Sequence, residues 1–523
     1  MKKLAVVTML IVALGGFLFA GGQREAEESS ESASDEASRS KELVVAVQQN
    51  PPVLEVIRVS TNPAMRIAPN IYDTLITFDY DTFELEPGLA TSWEREDDRT
   101  LLFHLREGVR FHDGTEMTAE DVVFTFGPER FFNEELPGYG NAQMYFGHLE
   151  SIDAVDDYTV RVTAKDPDPL LELRFASYMS EIISKEAFLA AADYDDWSRN
   201  VVGTGAYRLV EMKADEHIRL EAFDDYWGGT PPVDTIEFRV VPEISSRVAG
   251  LVSGEYDIIT ELPPDQFSAV EQHDDLEVAG GPIRNHRVIL FREPNPLMQD
   301  PLLRRAITLA IDRELIVDTL YDGMTNVPNG NQFTYYNEMY LEDAPALEYD
   351  PDAARELLAR SSYDGEELVY RLLPGYYTMQ LATAEAMQQM WKEVGINVKL
   401  EIKENWDQVL QEDTCIQDYS TTMMYPDPVG HYWRLWEPNG VIQRLGFWVP
   451  PERFNELGRI LASSTDLQER RVAFREMLEI GHEDPWGTVL HQLTMFYGKK
   501  RSIPWKATAM EYMDFSPQVY PAE

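Results

Sequence analysis

Apolar and polar residues alternate with two different periodicities along this chain, one typical of helices and one typical of strands. Residues 43–47 are five apolar residues in a row, rich in valine, which predicts a buried β-strand. Residues 383–394 carry apolar side chains at helical spacing and are followed by Gly395, a residue typical of the position after a helix. Residues 396–402 then alternate between apolar and polar positions, as a half-buried strand does. Strands and helices therefore interleave, and the pattern predicts an α/β fold without internal repeats.

Short local signals predict further elements. Thr118 and Asp121 have the spacing of a capping box, which predicts a helix beginning after Thr118. Asp350 precedes a proline and an amphipathic stretch, so we expect it to be the N-cap of another helix. Residues 100–105 and 109–111 are apolar and flank a short turn that contains glycine, which predicts a β-hairpin.

The N-terminal residues carry a pattern typical of export. Two lysines precede an apolar run over residues 4–20, and small residues follow it, which predicts a secretory signal peptide over residues 1–22. Retention of this segment as a membrane anchor is the alternative. Residues 23–42 contain no aromatic residue and are rich in Glu and Ser, which predicts a disordered acidic tether. We therefore expect an exported protein, either periplasmic or associated with the cell surface.

Charge and composition exclude several classes of function. The 523 residues include 91 Asp and Glu against 45 Lys and Arg, a formal charge of −46. Nucleic acid is therefore not an expected partner, because it repels a polyanion. A single cysteine, Cys415, excludes an intramolecular disulfide and a cysteine-rich metal site. The histidines lack metal-site spacing and no phosphate-binding glycine loop is present, so we expect neither a metal ion nor a cofactor.

Short motifs in a fixed order resemble the family 5 extracellular solute-binding proteins, the peptide- and nickel-type binding components of ABC importers. The resemblance extends from residue 43 to the C-terminus. The matching segments are residues 71–75, 87–93, 103–114, 118–122, 202–207, 225–229, 253–257, 304–312, 349–358 and 393–396.

The resemblance implies a two-lobed periplasmic-binding-protein clamp, with an additional domain on the first lobe and a hinge of two chain crossings. Ligand would be enclosed between the lobes and delivered to permease subunits in the membrane by a monomer. The implied domains are residues 43–70, 202–285 and 491–523 for lobe I, 71–201 for the extra domain, and 286–490 for lobe II.

One segment departs from the pattern of the peptide-binding relatives. Their loop after a strand carries an aspartate that pairs with the α-ammonium group of the ligand. Aligned on Tyr425 and Asp427, this position is occupied here by Met424. A thioether cannot replace a carboxylate beside a buried ammonium group. Either Asp427 has taken over the amine, or the ligand has no amine.

Aromatic residues follow this loop directly. Flat rings beside a carboxylate suit the faces of sugars or the apolar face of another polar solute, whereas packing in the core is the alternative. Trp406 follows the strand predicted at residues 396–402, and two amides end the first strand. The candidate ligand-binding residues are Tyr425, Asp427, His431, Tyr432, Trp433, Trp436, Trp406, Gln49 and Asn50.

These features predict a solute-binding component of an ABC importer that captures a peptide-sized solute, and not an enzyme. The family favours an oligopeptide, whereas Met424 favours an oligosaccharide or another solute without an amine. Two other functions remain open. One is an exported carbohydrate-degrading hydrolase, and the other is a ligand sensor that uses the same clamp.

Overall fold

The computed structural model describes residues 40–373 and 375–520. The predicted signal peptide and most of the predicted tether lie outside the described residues. The strands are β1 (Ser40–Val47), β2 (Ile76–Phe78), β3 (Leu85–Pro87), β4 (Ala90–Arg95), β5 (Thr100–Leu105), β6 (Leu149–Asp156), β7 (Thr159–Ala164), β8 (Tyr207–Lys213), β9 (His217–Ala222), β10 (Val233–Val240), β11 (Ile258–Ile259), β12 (Leu276–Phe291), β13 (Leu368–Leu372), β14 (Val398–Ile402), β15 (Ile416–Thr422) and β16 (Gly487–Lys500).

Helices lie between most of these strands, which confirms the predicted α/β class. The α-helices are α1 (Asn62–Ile71), α2 (Ala119–Thr125), α3 (Tyr139–Phe146), α4 (Leu171–Arg174), α5 (Lys185–Ala190), α6 (Tyr194–Arg199), α7 (Ile244–Ser253), α8 (Phe267–Glu271), α9 (Pro301–Leu309), α10 (Arg313–Leu320), α11 (Pro351–Leu358), α12 (Gln380–Val394), α13 (Trp406–Val409), α14 (Arg434–Trp436), α15 (Val441–Arg444), α16 (Glu452–Ser463) and α17 (Leu467–Glu483). A π-helical turn, Val429–Trp433, leads directly into α14. No helix in the described ranges is long and apolar enough to cross a membrane.

Ten strands form one mixed sheet, in the order β14-β13-β15-β12-β16-β11-β1-β10-β9-β8. The long antiparallel strands β12 and β16 join its two halves. The first part of β12 pairs with β16 as far as Pro282, which faces Thr494. The register then shifts, and from His286 onward β12 lies between β16 and β15. This register shift lies beside residues 285/286 and 490/491, where the chain is predicted to cross between the two lobes. The domain bounds themselves stay a prediction.

A separate four-stranded antiparallel sheet, β4-β5-β7-β6, lies within the segment predicted to be the extra domain. The predicted hairpin between residues 100–105 and 109–111 is wrong. Strand β5 pairs with β4 on one edge and β7 on the other, so residues 109–111 find no free edge there. They form only an isolated bridge from Arg110 to Glu116, while Val109 and Phe111 are buried in the core.

Predictions made from local signals agree with the structure. The capping box of Thr118 and Asp121 begins α2. The Asp350 carboxylate accepts hydrogen bonds from two backbone amides of the first turn of α11. Helix α12 ends at Gly395, whose φ of +97° is readily adopted by glycine. The first strand begins earlier than expected, because Ser40 already pairs with Val233, so the last residues of the predicted tether belong to β1.

Gly458 in α16 makes room for the indole of Trp433. A Cβ added at Gly458 would lie 1.9 Å from a ring carbon of Trp433, which is buried and cannot withdraw into solvent. We expect Gly458→Ala to lower the free energy of unfolding by about 1–3 kcal/mol through overpacking, although alanine is the better helix former. Urea unfolding measures the change.

Gly281→Ala is the matched control, since a Cβ at Gly281 meets no atom within 4 Å. We expect its free energy of unfolding to stay within about 0.5 kcal/mol of the starting protein. Equal stability of the two variants would contradict the proposed packing of Trp433.

Candidate functional site

The loop after β15 is held by a buried ion pair. Both carboxylate oxygens of Asp427 accept hydrogen bonds from Nη2 of Arg470 in α17, each at 2.7 Å. The carboxylate also accepts the backbone N–H of Val429 at 2.9 Å, where the π-helical turn begins. Asp427 is 4% exposed. Its charge is therefore committed to the fold, and we leave it out of the proposed ligand set.

The predicted aromatic platform lies in the core. Tyr432 stacks on Trp436 with ring centroids 4.7 Å apart, and Trp436 meets Trp486 edge-on at 4.3 Å. Trp433 packs against Gly458, as described above. These rings are at most 5% exposed, because the turn after Asp427 directs them between α16, α17 and β16. Core packing, the alternative weighed from the sequence, describes the contacts of Trp433 and Trp436, while Tyr432 also lines a separate cavity of about 260 Å³.

His431 and Tyr425 are also enclosed by protein. Nε2 of His431 lies 2.8 Å from Oγ1 of Thr421, and Nδ1 contacts the hydroxyl of Tyr336. Burial lowers the pKa of His431 well below its usual range, so the ring is neutral at pH 7. Tyr425 is 3% exposed and packs against Gly430. Neither side chain lines the cavity described next.

A cavity of about 250 Å³ lies between α1, α3, α13, β15 and α14, and we call it the central cavity. Its walls combine aromatic rings, amides and hydroxyls. The lining includes Ser60, Thr61, Asn62, Asn141, Tyr376, Tyr377, Trp406, Gln417, Tyr419, Thr422, Met424, Arg434 and Phe447.

The remaining sequence candidates differ in their distance from the central cavity. Trp406 lines it and meets Tyr376 edge-on, with ring centroids 5.3 Å apart. Gln49 lines a small neighbouring cavity that shares Tyr376 with the central one. Asn50 donates a hydrogen bond to the carbonyl oxygen of Phe238 at 3.0 Å and lines neither cavity. Trp406 and Gln49 therefore stay candidates for ligand contact, whereas Asn50 is tied to β10.

Arg434 supplies the positive charge of the central cavity. Its Nη1 donates to the hydroxyl of Tyr145 at 3.0 Å, and its Nη2 donates to the carbonyl oxygen of Thr422 at 3.2 Å. The residue is 7% exposed. No carboxylate of the described residues forms an ion pair with it, unlike buried Arg470, which is paired with Asp427.

Electrostatics leave this charge uncompensated. None of the described side chains lining the central cavity is a carboxylate. Glu437 follows α14, and burial raises the pKa of its carboxyl to about 8 despite the guanidinium groups of Arg174 and Arg434. A desolvated guanidinium with hydrogen-bonding capacity is suited to bind an anionic group, above all a carboxylate.

Sequence reasoning missed Arg434 although it identified the residues on both sides. The sequence predicted that the aromatic rings of the segment after Asp427 face the ligand. The π-helical turn changes which side chains lie on the same face of the helix, and the hydrophobic pattern of the sequence does not indicate such a turn. The one signal was the arginine itself, since it lies beside predicted binding residues in a chain with few basic residues.

The Asp427–Arg470 pair is open to a direct test. We expect Asp427→Asn to lower the free energy of unfolding by about 3–5 kcal/mol, because Arg470 would become a buried charge without a partner. Urea unfolding measures the loss, and adding Arg470→Met to the variant should recover part of it.

Asp343→Asn serves as the control, because Asp343 pairs with the partly exposed Arg475 at the surface. We expect no measurable change in its stability. If Asp427→Asn were as stable as this control but lost ligand, Asp427 would be a ligand-binding residue after all.

Comparison with known proteins places the chain in a family. Residues 84–442 match the family model described as bacterial extracellular solute-binding proteins, family 5 Middle. The dipeptide-binding protein of Escherichia coli strain K12 is 29% identical over 364 residues, which are 65% of this chain and 67% of that protein. Heme-binding protein A of Haemophilus influenzae is 28% identical over 348 residues, 62% of this chain and 63% of that protein. The chain thus spans less than two thirds of the latter relative.

A solved structure shows the same fold. The ABC transporter-associated periplasmic binding protein DppA from Helicobacter pylori, in complex with the peptide STSA, has a TM-score of 0.84 at 24% identity. The alignment covers 93% of this chain and 99% of that chain, which confirms the predicted two-lobed clamp. Because the family model matches more than half of the sequence, this chain belongs to the bacterial extracellular solute-binding proteins of family 5.

Proposed function

We propose that this protein is the extracytoplasmic solute-binding component of an ABC importer, and that it captures a peptide-sized solute carrying a carboxylate. The observation that carries the proposal is the buried Arg434 guanidinium in a cavity whose described lining contains no carboxylate. The ligand carboxylate would pair with Arg434 while its body contacts the rings of Tyr376, Trp406 and Phe447.

Met424 defines the other requirement of the ligand. It lines the central cavity and is 3% exposed. The position aligned with the ammonium-binding aspartate of the peptide-binding relatives therefore carries no carboxylate. A free ammonium group there would lose its hydration without gaining a partner. We therefore infer that recognition depends on the acid end of the solute and not on an N-terminal amine.

Peptide-derived solutes fit this proposal better than oligosaccharides do. The predicted sugar platform, which includes Tyr432 and Trp436, packs in the core, so the main structural argument for a sugar ligand is lost. Two of the reported relatives support peptides, since one is a dipeptide-binding protein and another is in complex with a peptide, whereas a third is a heme-binding protein. The proposed class is a peptide or peptide derivative whose carboxylate is free.

The two alternative functions differ in what they require. A glycoside hydrolase needs a pair of carboxyl groups beside the substrate, and the described lining of the central cavity contains none. A ligand sensor would use the same cavity, so only uptake separates it from an importer component.

A thermal-shift screen tests the ligand class. We expect short peptides with a free C-terminus to stabilise the purified protein by about 2.7 kcal/mol at 100 times their Kd. Acetylation of the N-terminus should leave the shift unchanged, because Met424 provides no amine partner. Amidation of the C-terminus should abolish it. A requirement for the free amine would contradict the proposal, as would a response to oligosaccharides alone.

Arg434→Gln tests the anchoring charge. We expect a loss of about 2 kcal/mol or more in binding free energy, roughly 30-fold in Kd, since the ligand carboxylate would lose its charged partner. Isothermal titration calorimetry with the best peptide of the screen measures it. Arg459→Gln is the control, because Arg459 is an exposed arginine of α16 outside the cavity. Equal Kd values for the two variants would remove Arg434 from the site.

Uptake by cells tests the proposed role in transport. A strain lacking the protein should lose accumulation of the radiolabelled peptide identified in the screen. Expression of the Arg459→Gln variant should restore uptake, whereas Arg434→Gln should not. Normal uptake by the deletion strain would favour the sensor function.

A further inference from the structure

A second cavity, of about 390 Å³, lies away from the central one and shares no lining residue with it. Six carboxyl side chains line it, against the single ammonium group of the exposed Lys506. We call it the acidic cavity, and its lining carboxyls are Asp73, Asp79, Asp81, Glu86, Glu181 and Asp514.

Two of these carboxyl groups already accept hydrogen bonds within the protein. Asp73 accepts hydrogen bonds from Oγ1 of Thr204 at 2.8 Å and from Nε1 of Trp227 at 2.9 Å. Asp514 accepts the backbone N–H of Ser516 at 2.7 Å. These groups shape the wall and have satisfied partners.

Glu181 differs from them. It is 5% exposed, and its Oε2 atom is buried without a hydrogen-bond partner among the described residues. Burial raises the pKa of the Glu181 carboxyl to about 8, although the Arg130 guanidinium opposes this. That guanidinium is already bound to Glu55 at 2.5 Å, with both side chains fully buried. Glu181 lines the cavity, and a buried carboxyl oxygen without a partner is a position where a ligand donor gains most.

Aromatic rings form the remaining walls. Tyr178 and Tyr512 line the cavity, and burial, followed by the charge of Glu181, holds the pKa of each phenol well above its usual range. Tyr72 lines it too, with its pKa raised chiefly by burial. These phenols are neutral at pH 7, and neutral ring faces attract cations. The wall therefore suits an ion with a carbon skeleton better than a hydrated metal ion.

We propose that the acidic cavity binds a small organic ammonium ion, with the ammonium group at the carboxyl of Glu181 and its carbon skeleton against the tyrosine rings. A metal ion is not the expected occupant, since no group of three or more metal-ligating side chains is close enough to hold one in the part of the chain that the structure describes. The site is independent of the carboxylate site at Arg434.

Calorimetric titration of the full chain with benzylammonium chloride tests the site. We expect binding that Glu181→Gln weakens about tenfold or more, because the amide keeps the shape of the side chain but cannot carry the charge. Glu186→Gln, at a nearby exposed glutamate, should leave Kd within about twofold. Benzyl alcohol, the neutral analogue, should bind about tenfold or more weakly than the cation.

A second measurement does not depend on the fold of a variant. Groups that interact electrostatically with Glu181 include Glu55, Arg130, Tyr72, Tyr178 and Tyr512, and Asp73 and Asp514, whose pKa values are raised chiefly by burial, line the same cavity. None of the tyrosines changes charge near pH 7, so pairing with an ammonium ion should release the Glu181 proton. Titrations at pH 7 in buffers of different ionisation enthalpy should show that release.

Three results would overturn the proposal. They are the absence of benzylammonium binding, equal Kd values for Glu181→Gln and the starting protein, and binding without proton release. A cation that binds equally well to Glu181→Gln lies elsewhere in the molecule. Because Arg434→Gln leaves this cavity intact, failure here would leave the carboxylate site at Arg434 unaffected.

Discussion

The ion pair between Asp427 and Arg470 determines how the site segment is arranged. It ties the loop after β15 to α17, and the same carboxylate accepts the first amide of the π-helical turn at Val429. The turn then places a run of rings in the core and brings Arg434 to the cavity wall. The Asp427 carboxylate, which could have paired with a ligand amine, is thus paired within the protein. Met424 lines the wall of the central cavity. Because the Asp427 carboxylate pairs with Arg470, the charge at the wall of the central cavity is the positive charge of Arg434.

The charge of the central cavity opposes that of the whole chain. A formal charge of −46 repels anionic solutes at a distance, so the protein does not steer a carboxylate towards Arg434. The attraction is local and acts where water is excluded, so salt screens it less than a surface interaction. High affinity for an acidic solute would therefore come from slow dissociation, not from fast association.

Local signals in the sequence predicted local structure well. The caps at Thr118 and Asp350 depend on amides within three residues, and both are present as expected. The hairpin at residues 109–111 was wrong because β4 and β7 occupy both edges of β5. Asp427 is a predicted ligand-binding residue, and the sequence does not reveal its ion pair because the partner, Arg470, is 43 residues away. Family resemblance supplied the two-lobed fold, but it could not show which side chains of the loop face the cavity.

Tyrosines connect the surroundings of the two cavities, whose charges have opposite signs. Tyr145 accepts a hydrogen bond from the Arg434 guanidinium and lies within electrostatic range of Tyr178 and Tyr512 in the wall of the acidic cavity. A hydroxyl group suits this position, since a phenol can accept a hydrogen bond from a guanidinium without adding a charge beside it. A charged side chain in its place would neutralise one site or repel the ligand of the other. The tyrosine hydroxyls thus add no charge that would pair with Arg434 or with the carboxyl groups of the acidic cavity.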